Sequence, residues 1–246
     1  MSDNMLKIVM WSVEHGSSIY VNTPNDRHIL LDAGASSIFS PAKWLKEQYE
    51  IDRFHYFILS HPDTDHIRDI ENVDTLLRPH VFLRNKSVPT DLVYPTYPPT
   101  TNPLKYYYDF DARYNLPLSE DSPYSVRPAS NWGDIEISTF HNSEPEFKSK
   151  KLNNFSVATF LLYENLKFLF PGDLEASGWA ALMERERFRR ISTPSPSNQD
   201  EIRILVAAHH GREAGVHKPF LDLYQPHLPL ISDKYGSPYT AYEDYY

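Results

Sequence analysis

The chain has 246 residues, a formal net charge of -9 and no cysteine. The missing cysteines exclude disulfides and thiolate metal sites, so any bound metal must be held by His and carboxylate groups. The acidic balance excludes a uniformly basic nucleic-acid surface, though not a local patch, and 41% hydrophobic residues with 14% aromatic exclude disorder as the default.

The size fits one large two-layer domain over residues 1–246. No apolar run approaches the roughly 18 residues of a membrane span. Met1-Ser2-Asp3-Asn4 lacks the charged-then-apolar pattern of a signal sequence, so the reading is a cytoplasmic protein without membrane contact.

In chain order, residues 6–13, 18–22 and 28–32 read as strands. Residues 41–49 read as a helix, with Ser40 as N-cap and Pro41 in the first turn. Tyr56-Phe57-Ile58-Leu59 is a buried strand, followed by a helix near 67–77. The second half repeats the theme, with strands at 135–140, 156–163, 168–170 and 204–208 and helices near 174–188 and 219–224. Residues 192–198, with Pro194 and Pro196, are a loop. Glu184 to Arg190 carries four Arg, which suit the C-terminus of a helix with i,i+4 pairs more readily than a phosphate patch.

Residues 85–130 break this order. Between Val88 and Pro128 lie eight Pro and seven Tyr with no clear period. So long an irregular insertion is expected to be a lid or substrate wall, a surface for a protein partner, or a loop packed on the scaffold. Its Tyr rings could stack on bases. At the other end, Ile231-Ser232-Asp233 reads as a strand end and residues 239–246 as the start of a helix.

Chemistry concentrates at His61-Pro62-Asp63-Thr64-Asp65-His66, four potential metal ligands within six residues, on the turn leaving a buried strand. Imidazoles and carboxylates at this spacing can reach two neighbouring ions, and the mixed donors suit Zn, Mn or Fe. A polar loop with ordinary surface residues would explain this hexapeptide taken alone. Three more apolar strands, however, end in the same residue types: Leu31-Asp32-Ala33-Gly34, Pro171-Gly172-Asp173, and Ala208-His209-His210-Gly211. Core packing would place no such residues there.

These blocks resemble the metallo-β-lactamase fold hydrolases, whose main motif is His-x-His-x-Asp-His followed by a later His, a bridging Asp and a last His. Within that family the chain is most similar to the metallohydrolase domain of the ComEC DNA-uptake proteins, whose Ser-His-x-Asp-x-Asp-His is matched by Ser60 to His66. The likeness extends to Gly16-Ser17-Ser18-Ile19, Asn153-Asn154-Phe155-Ser156-Val157 and Gly172-Asp173-Leu174-Glu175, and covers about residues 6–240. It implies an α/β (α+β) fold, an αββα sandwich carrying the Pro/Tyr-rich insertion. It also implies a domain that continues in its relatives past this C-terminus, so that the chain would either be truncated there or lack the C-terminal helix of its relatives.

The resemblance implies two divalent ions, Mn or Zn. His61 and Asp63 would hold the first, Asp65 and His66 the second, with Asp173 bridging and His210 as the last ligand. Asp65 would also orient the attacking water, Asp32 would orient a ligand from behind, and His209 would be an alternate ligand, a substrate contact or a proton donor. Arg212 would hold a non-bridging oxygen. Asn153-Asn154 lies about where the family has its middle histidine. Either an Asn oxygen or water completes the first shell, or His141 folds in, or that position is weak; Asn154 is also a candidate substrate contact.

The implied reaction is hydrolysis by hydroxide activated between two metals, most simply of a phosphodiester in nucleic acid or a nucleotide. Two readings compete: hydrolysis of a β-lactam, lactone or thioester, against which the missing histidines count, and an accessory subunit with a degraded site.

Overall fold

The computed structural model describes residues 5–234 and 236–245. Met1 to Asn4, on which the signal-sequence expectation rests, lie outside the described residues, as do Tyr235 and Tyr246. The elements run β1 (Lys7–Met10), β2 (Ile19–Asn22), β3 (His28–Leu31), α1 (Pro41–Gln48), β4 (Tyr56–Ile58), α2 (Thr64–Ile67), α3 (Ile70–Leu77), β5 (Val81–Leu83), α4 (Thr90–Val93) and α5 (Leu104–Asp111). They continue with β6 (Glu136–Phe140), β7 (Ala158–Tyr163), β8 (Leu166–Phe170), α6 (Ala176–Met183), α7 (Glu186–Ser192), β9 (Ile202–Val206), α8 (Lys218–Tyr224) and β10 (Leu228–Leu230).

Two five-stranded mixed sheets form, ordered β1-β2-β3-β4-β5 and β10-β9-β8-β7-β6. Side chains alternate across a strand, and here both faces are apolar, so each sheet must be covered twice. Ile19, Val21, Ile29, Leu31, Tyr56 and Ile58 point inward to Val157, Leu161, Phe170 and Val206 of the other sheet. The intervening Tyr20, Leu30 and Phe57 face α1 and α3 through Leu45, Val73 and Leu77. On the second sheet Phe160, Leu169 and Leu205 face Trp179, Phe188, Phe220 and Tyr224 of α6, α7 and α8. The result is helix on sheet on sheet on helix, the αββα arrangement expected. Phe160 is fully buried between Phe140, Phe188 and Tyr224, and Phe160→Ala would cost about 3–5 kcal/mol.

Outside the insertion, three elements differ from expectation. The strand Val81–Leu83 was not anticipated; its three residues are too few for a period, and pairing with β4 makes it a strand. The helix expected over residues 174–188 is two, because Arg185 is extended (φ -86°, ψ 120°) and the turn brings Phe188 back into the core beside Trp179. Of the helix expected from residue 239, the described residues form only a short turn at Tyr242–Asp244.

The insertion is built into the scaffold. Tyr107 and Phe110, one turn apart on α5, are buried beside Phe57 and Phe82 on the outer face of the first sheet. The Tyr106 hydroxyl and the Arg113 guanidinium donate to buried Asp74 of α3 at 2.9 and 2.7 Å. This packing fixes Tyr106 and Tyr107 on the scaffold, while Tyr97 stays exposed beside Tyr94 and Tyr108. Among the described residues, none of the insertion's polar contacts reaches the carboxylates and imidazoles at the strand ends.

Strand direction positions those ends. β3, β4 and β5 are parallel, as are β8, β9 and β10. β1 lies antiparallel to β2, and β2 to β3, so β1 also shares the direction of β3. The loops after β1, β3, β4, β8, β9 and β10 therefore gather at one rim of the sandwich.

Candidate metal centre

Asp32 begins the site. It follows β3 with a left-handed backbone (φ 57°), and its carboxylate accepts the Ser60 N–H at 2.7 Å and the Ser60 hydroxyl at 2.9 Å. The same carboxylate accepts His66 Nδ1–H at 2.8 Å. The Ser60 hydroxyl, its proton directed to Asp32, is left to accept His61 Nδ1–H at 3.1 Å. On the opposite sheet, His210 Nδ1–H donates to the Ser232 carbonyl at 2.8 Å, and a carbonyl can only accept. These three partners place a proton on Nδ1 of His61, His66 and His210, so that with a cation in place each Nε2 offers a bare lone pair.

The bare nitrogens converge. His66 Nε2 and His210 Nε2 are 3.3 Å apart, two acceptors face to face. Asp173 Oδ1 lies 3.2 Å from His66 Nε2 and its Oδ2 3.3 Å from His210 Nε2, while Asp65 Oδ2 lies 3.2 Å from His210 Nε2. Asp65, His66, Asp173 and His210 offer ligand atoms all within 4.8 Å of one another. Lone pairs and carboxylates aimed at one point require a positive charge between them, and a divalent cation with bonds of about 2 Å fits this donor set.

Without a cation, protons on Nε2 of His66 and His210 supply that positive charge instead. Burial disfavours charge on His66 and His210, yet Asp173, with help from Asp32 and Asp65, raises His66 well above its ordinary value and His210 to about 9. Burial likewise opposes ionisation of Asp65 and Asp173, but His66 and His210 hold both carboxyls well below the usual range.

A second group adjoins the first. Asp63 stands at the N-cap of α2 without the side-chain cap bond an Asp ordinarily makes there; its Oδ2 lies 3.4 Å from His61 Nε2 instead. His61 Nε2 is buried without a hydrogen-bond partner, 3.9 Å from Asp173 Oδ2. Asp173 thus faces both groups.

Close backbone approach makes this possible. Gly172 has φ 60°, and a Cβ there would stand 2.6 Å from the Ser60 Cβ. Ser156 Oγ accepts the Asp173 N–H at 3.2 Å, fixing the loop that carries the shared carboxylate.

The six expected ligands, His61, Asp63, Asp65, His66, Asp173 and His210, thus come together, with Asp32 behind them. Asn154 does not join them as a ligand or a substrate contact. It is 1% exposed, and its Oδ1 accepts from the N–H groups of Glu175 and Gly178 at 3.2 and 2.9 Å, tying down the start of α6. His141 does not fold in either; its Nδ1 lies 3.0 Å from the Ser143 hydroxyl. His209 sits at the margin, its Nε2 4.0 Å from Asp173 Oδ2.

One residue was missed. His15, on the loop after β1, places Nε2 3.3 Å from Asp65 Oδ2 and Nδ1 3.3 Å from Asp233 Oδ1, with its ring 4.3 Å from that of His210. Arg212 Nη2 reaches His15 Nε2 at 3.3 Å, and its guanidinium lies over the Tyr239 ring. The only sequence signal was a histidine beside Gly16, in a block already matched to the family.

The family model of the metallo-beta-lactamase superfamily matches residues 11–223. Comparison with curated proteins finds no match. Among solved structures, the chain is similar to a proposed metallo-beta-lactamase from Thermotoga maritima, at 14% identity over 73% of this chain and 84% of that one, TM-score 0.45. It is similar to a proposed metal-dependent hydrolase from Parabacteroides distasonis, at 11% identity over 95% and 96% of the two chains, TM-score 0.44. It is also similar to CmlA, a diiron β-hydroxylase from Streptomyces venezuelae, at 14% identity over 73% of this chain and 33% of that one, TM-score 0.42.

Proposed function

The chain belongs to the metallo-beta-lactamase superfamily, and from that premise we propose that it is a metal-dependent hydrolase acting on phosphodiesters of nucleic acid or nucleotides. The observation that carries the metal dependence is the convergence of three Nδ1-protonated imidazoles, His61, His66 and His210, on the carboxylate of Asp173. Two divalent cations held there by these residues would supply Lewis acidity, which lowers the pKa of water and stabilises charge on the attacked centre.

The protein's own groups do the rest. Asp65, 15% exposed at its side chain, faces the rim and can accept a proton from an attacking water. Asp32 and the Ser232 carbonyl hold the imidazoles in one tautomer and orientation. Arg212 stands at the mouth, where a guanidinium can hold a phosphoryl oxygen. The carboxylate-rich donor set supports phosphodiesters, the guanidinium suits an anionic substrate, and the ComEC-like order of the motifs supports nucleic acid.

The test is turnover by chelator-treated protein, resupplied with saturating Mn2+ or Zn2+, on bis-p-nitrophenyl phosphate, single- and double-stranded DNA, RNA and nitrocefin. Phosphodiester hydrolysis with Mn2+ above Zn2+ is expected, since the site holds as many carboxylates as imidazoles. Nitrocefin turnover without phosphodiester turnover would overturn the substrate class. Zn2+ activity tenfold above Mn2+ would overturn the metal preference.

A further inference from the structure

Asn154 is committed to α6, so the cation position at His61 and Asp63 has only those two residues and the shared Asp173 from the expected ligands. His209 stands on the open side of Asp173. Its Nε2 is 4.0 Å from Asp173 Oδ2, and the unpartnered His61 Nε2 is 3.9 Å from the same oxygen. Neither is a hydrogen bond. Donors about 2.1 Å from one ion stand roughly 3.0–4.2 Å apart depending on the angle between them, and both separations fall in that range.

The backbone points the same way. His209, His210 and Gly211 are all left-handed, at φ 50°, 56° and 77°. That conformation costs about 1–2 kcal/mol per non-glycine residue, and two consecutive histidines adopt it. The turn rotates their rings apart, to 6.2 Å between centroids and 66° between planes. His210 thereby faces His66 and Asp65, while His209 turns to Glu175 and approaches Asp173 Oδ2 from a separate direction. The His209 N–H donates to the Gly172 carbonyl at 3.1 Å, locking the turn to the loop that carries Asp173.

Behind His209 stands Glu175. Its Oε1 lies 3.7 Å from the buried, unpartnered His209 Nδ1, and the carboxylate is fixed by Lys151 and by Asn153 Nδ2 at 3.2 Å. Asp32 occupies the corresponding place behind His66, there within hydrogen-bond distance at 2.8 Å. A carboxylate on the far nitrogen of a ligating imidazole sets its tautomer and raises its basicity.

The geometry points to His209 as the remaining protein ligand of a cation held by His61, Asp63 and Asp173, with Glu175 as its positioning residue. The two adjacent histidines of one left-handed turn then serve two ions. This rests on the metallohydrolase reading above. The test is calorimetric titration of chelator-treated protein with MnCl2, comparing wild type, His209→Gly, His209→Asn and Glu175→Gln, each checked for native circular dichroism. Gly and Asn both tolerate the left-handed backbone, so the turn survives the change. Wild type should bind two equivalents and both His209 variants one, the tighter site keeping its affinity. Glu175→Gln should bind two, one of them weakened about 10–100-fold. His209 variants that bind two equivalents within threefold of wild-type affinity overturn the assignment, as does a wild type that binds one. A wild type that binds none overturns the metallohydrolase reading itself.

Discussion

The nitrogen a histidine leaves bare separates the two kinds of histidine in this protein. His61, His66 and His210 each give Nδ1–H to an oxygen and present Nε2 to Asp173. His55 and His227 do the opposite: Nδ1 accepts a backbone N–H, from His28 at 3.0 Å and from Arg203 at 3.1 Å, so they brace strands. Asp65→Ala and Asp173→Ala should therefore lower phosphodiester turnover at least about 1000-fold with native circular dichroism retained, because they remove charge at the rim and leave the three cores intact. His55→Ala and His227→Ala should keep turnover within a fewfold. Turnover surviving loss of Asp173 would place the activity elsewhere. The six strand-end ligands were legible in the sequence because each follows an apolar run. His15 was not, since its contacts to Asp65 and Asp233 are made only when β1 and β10 bring distant loops to one rim. Asn154 misled for the converse reason: a polar residue in a family motif can be conserved in position for a cap, and nothing local distinguishes a cap from a ligand.

Among the elements, the starts of β3, β4 and β5 carry a row of tilted histidine rings outside the site. The rings of His28 and His55 are 5.3 Å apart and those of His55 and His80 6.0 Å. Burial, then the neighbouring His28, Arg27 and His80, push His55 down to about 4. Its folded pKa lies below the unfolded value, so the unfolded chain takes up the proton first. Stability is then lost as pH falls from about 6.5 towards 4, with a limiting slope of roughly 1.4 kcal/mol per pH unit for one proton. Urea unfolding between pH 7 and 4 should show this loss, and His55→Asn, whose Oδ1 can still accept the His28 N–H, should make it shallower. An unchanged slope would assign the acid sensitivity to other groups. Long strands and the Ser40-capped α1 were legible from period and cap. Val81–Leu83 and α5 were not, because three residues carry no period and Tyr at helical spacing inside a Pro-rich stretch looks irregular until Phe57 and Phe82 provide a surface for it.

For the whole molecule, two sheets share one rim, and like charges gathered there oppose folding unless something positive lies between them. Cation binding should therefore stabilise the chain as a unit. At about 100 times the dissociation constant it adds roughly 2.7 kcal/mol, or about 5–10 °C in melting temperature for a chain of this size. Thermal melts of chelator-treated protein with and without Mn2+ should show this rise, and Asp173→Ala should abolish it; equal rises in both proteins would mean the ion binds elsewhere. The layer order was legible only through the family resemblance, since apolar runs name strands but not which sheet each joins.

The most direct measurement is anomalous diffraction from crystals grown with Mn2+. Two peaks should appear about 3.5–4 Å apart on either side of the Asp173 carboxylate, one facing His61 and one between His66 and His210. A single peak, or none within bonding distance of Asp173, would contradict a dinuclear centre.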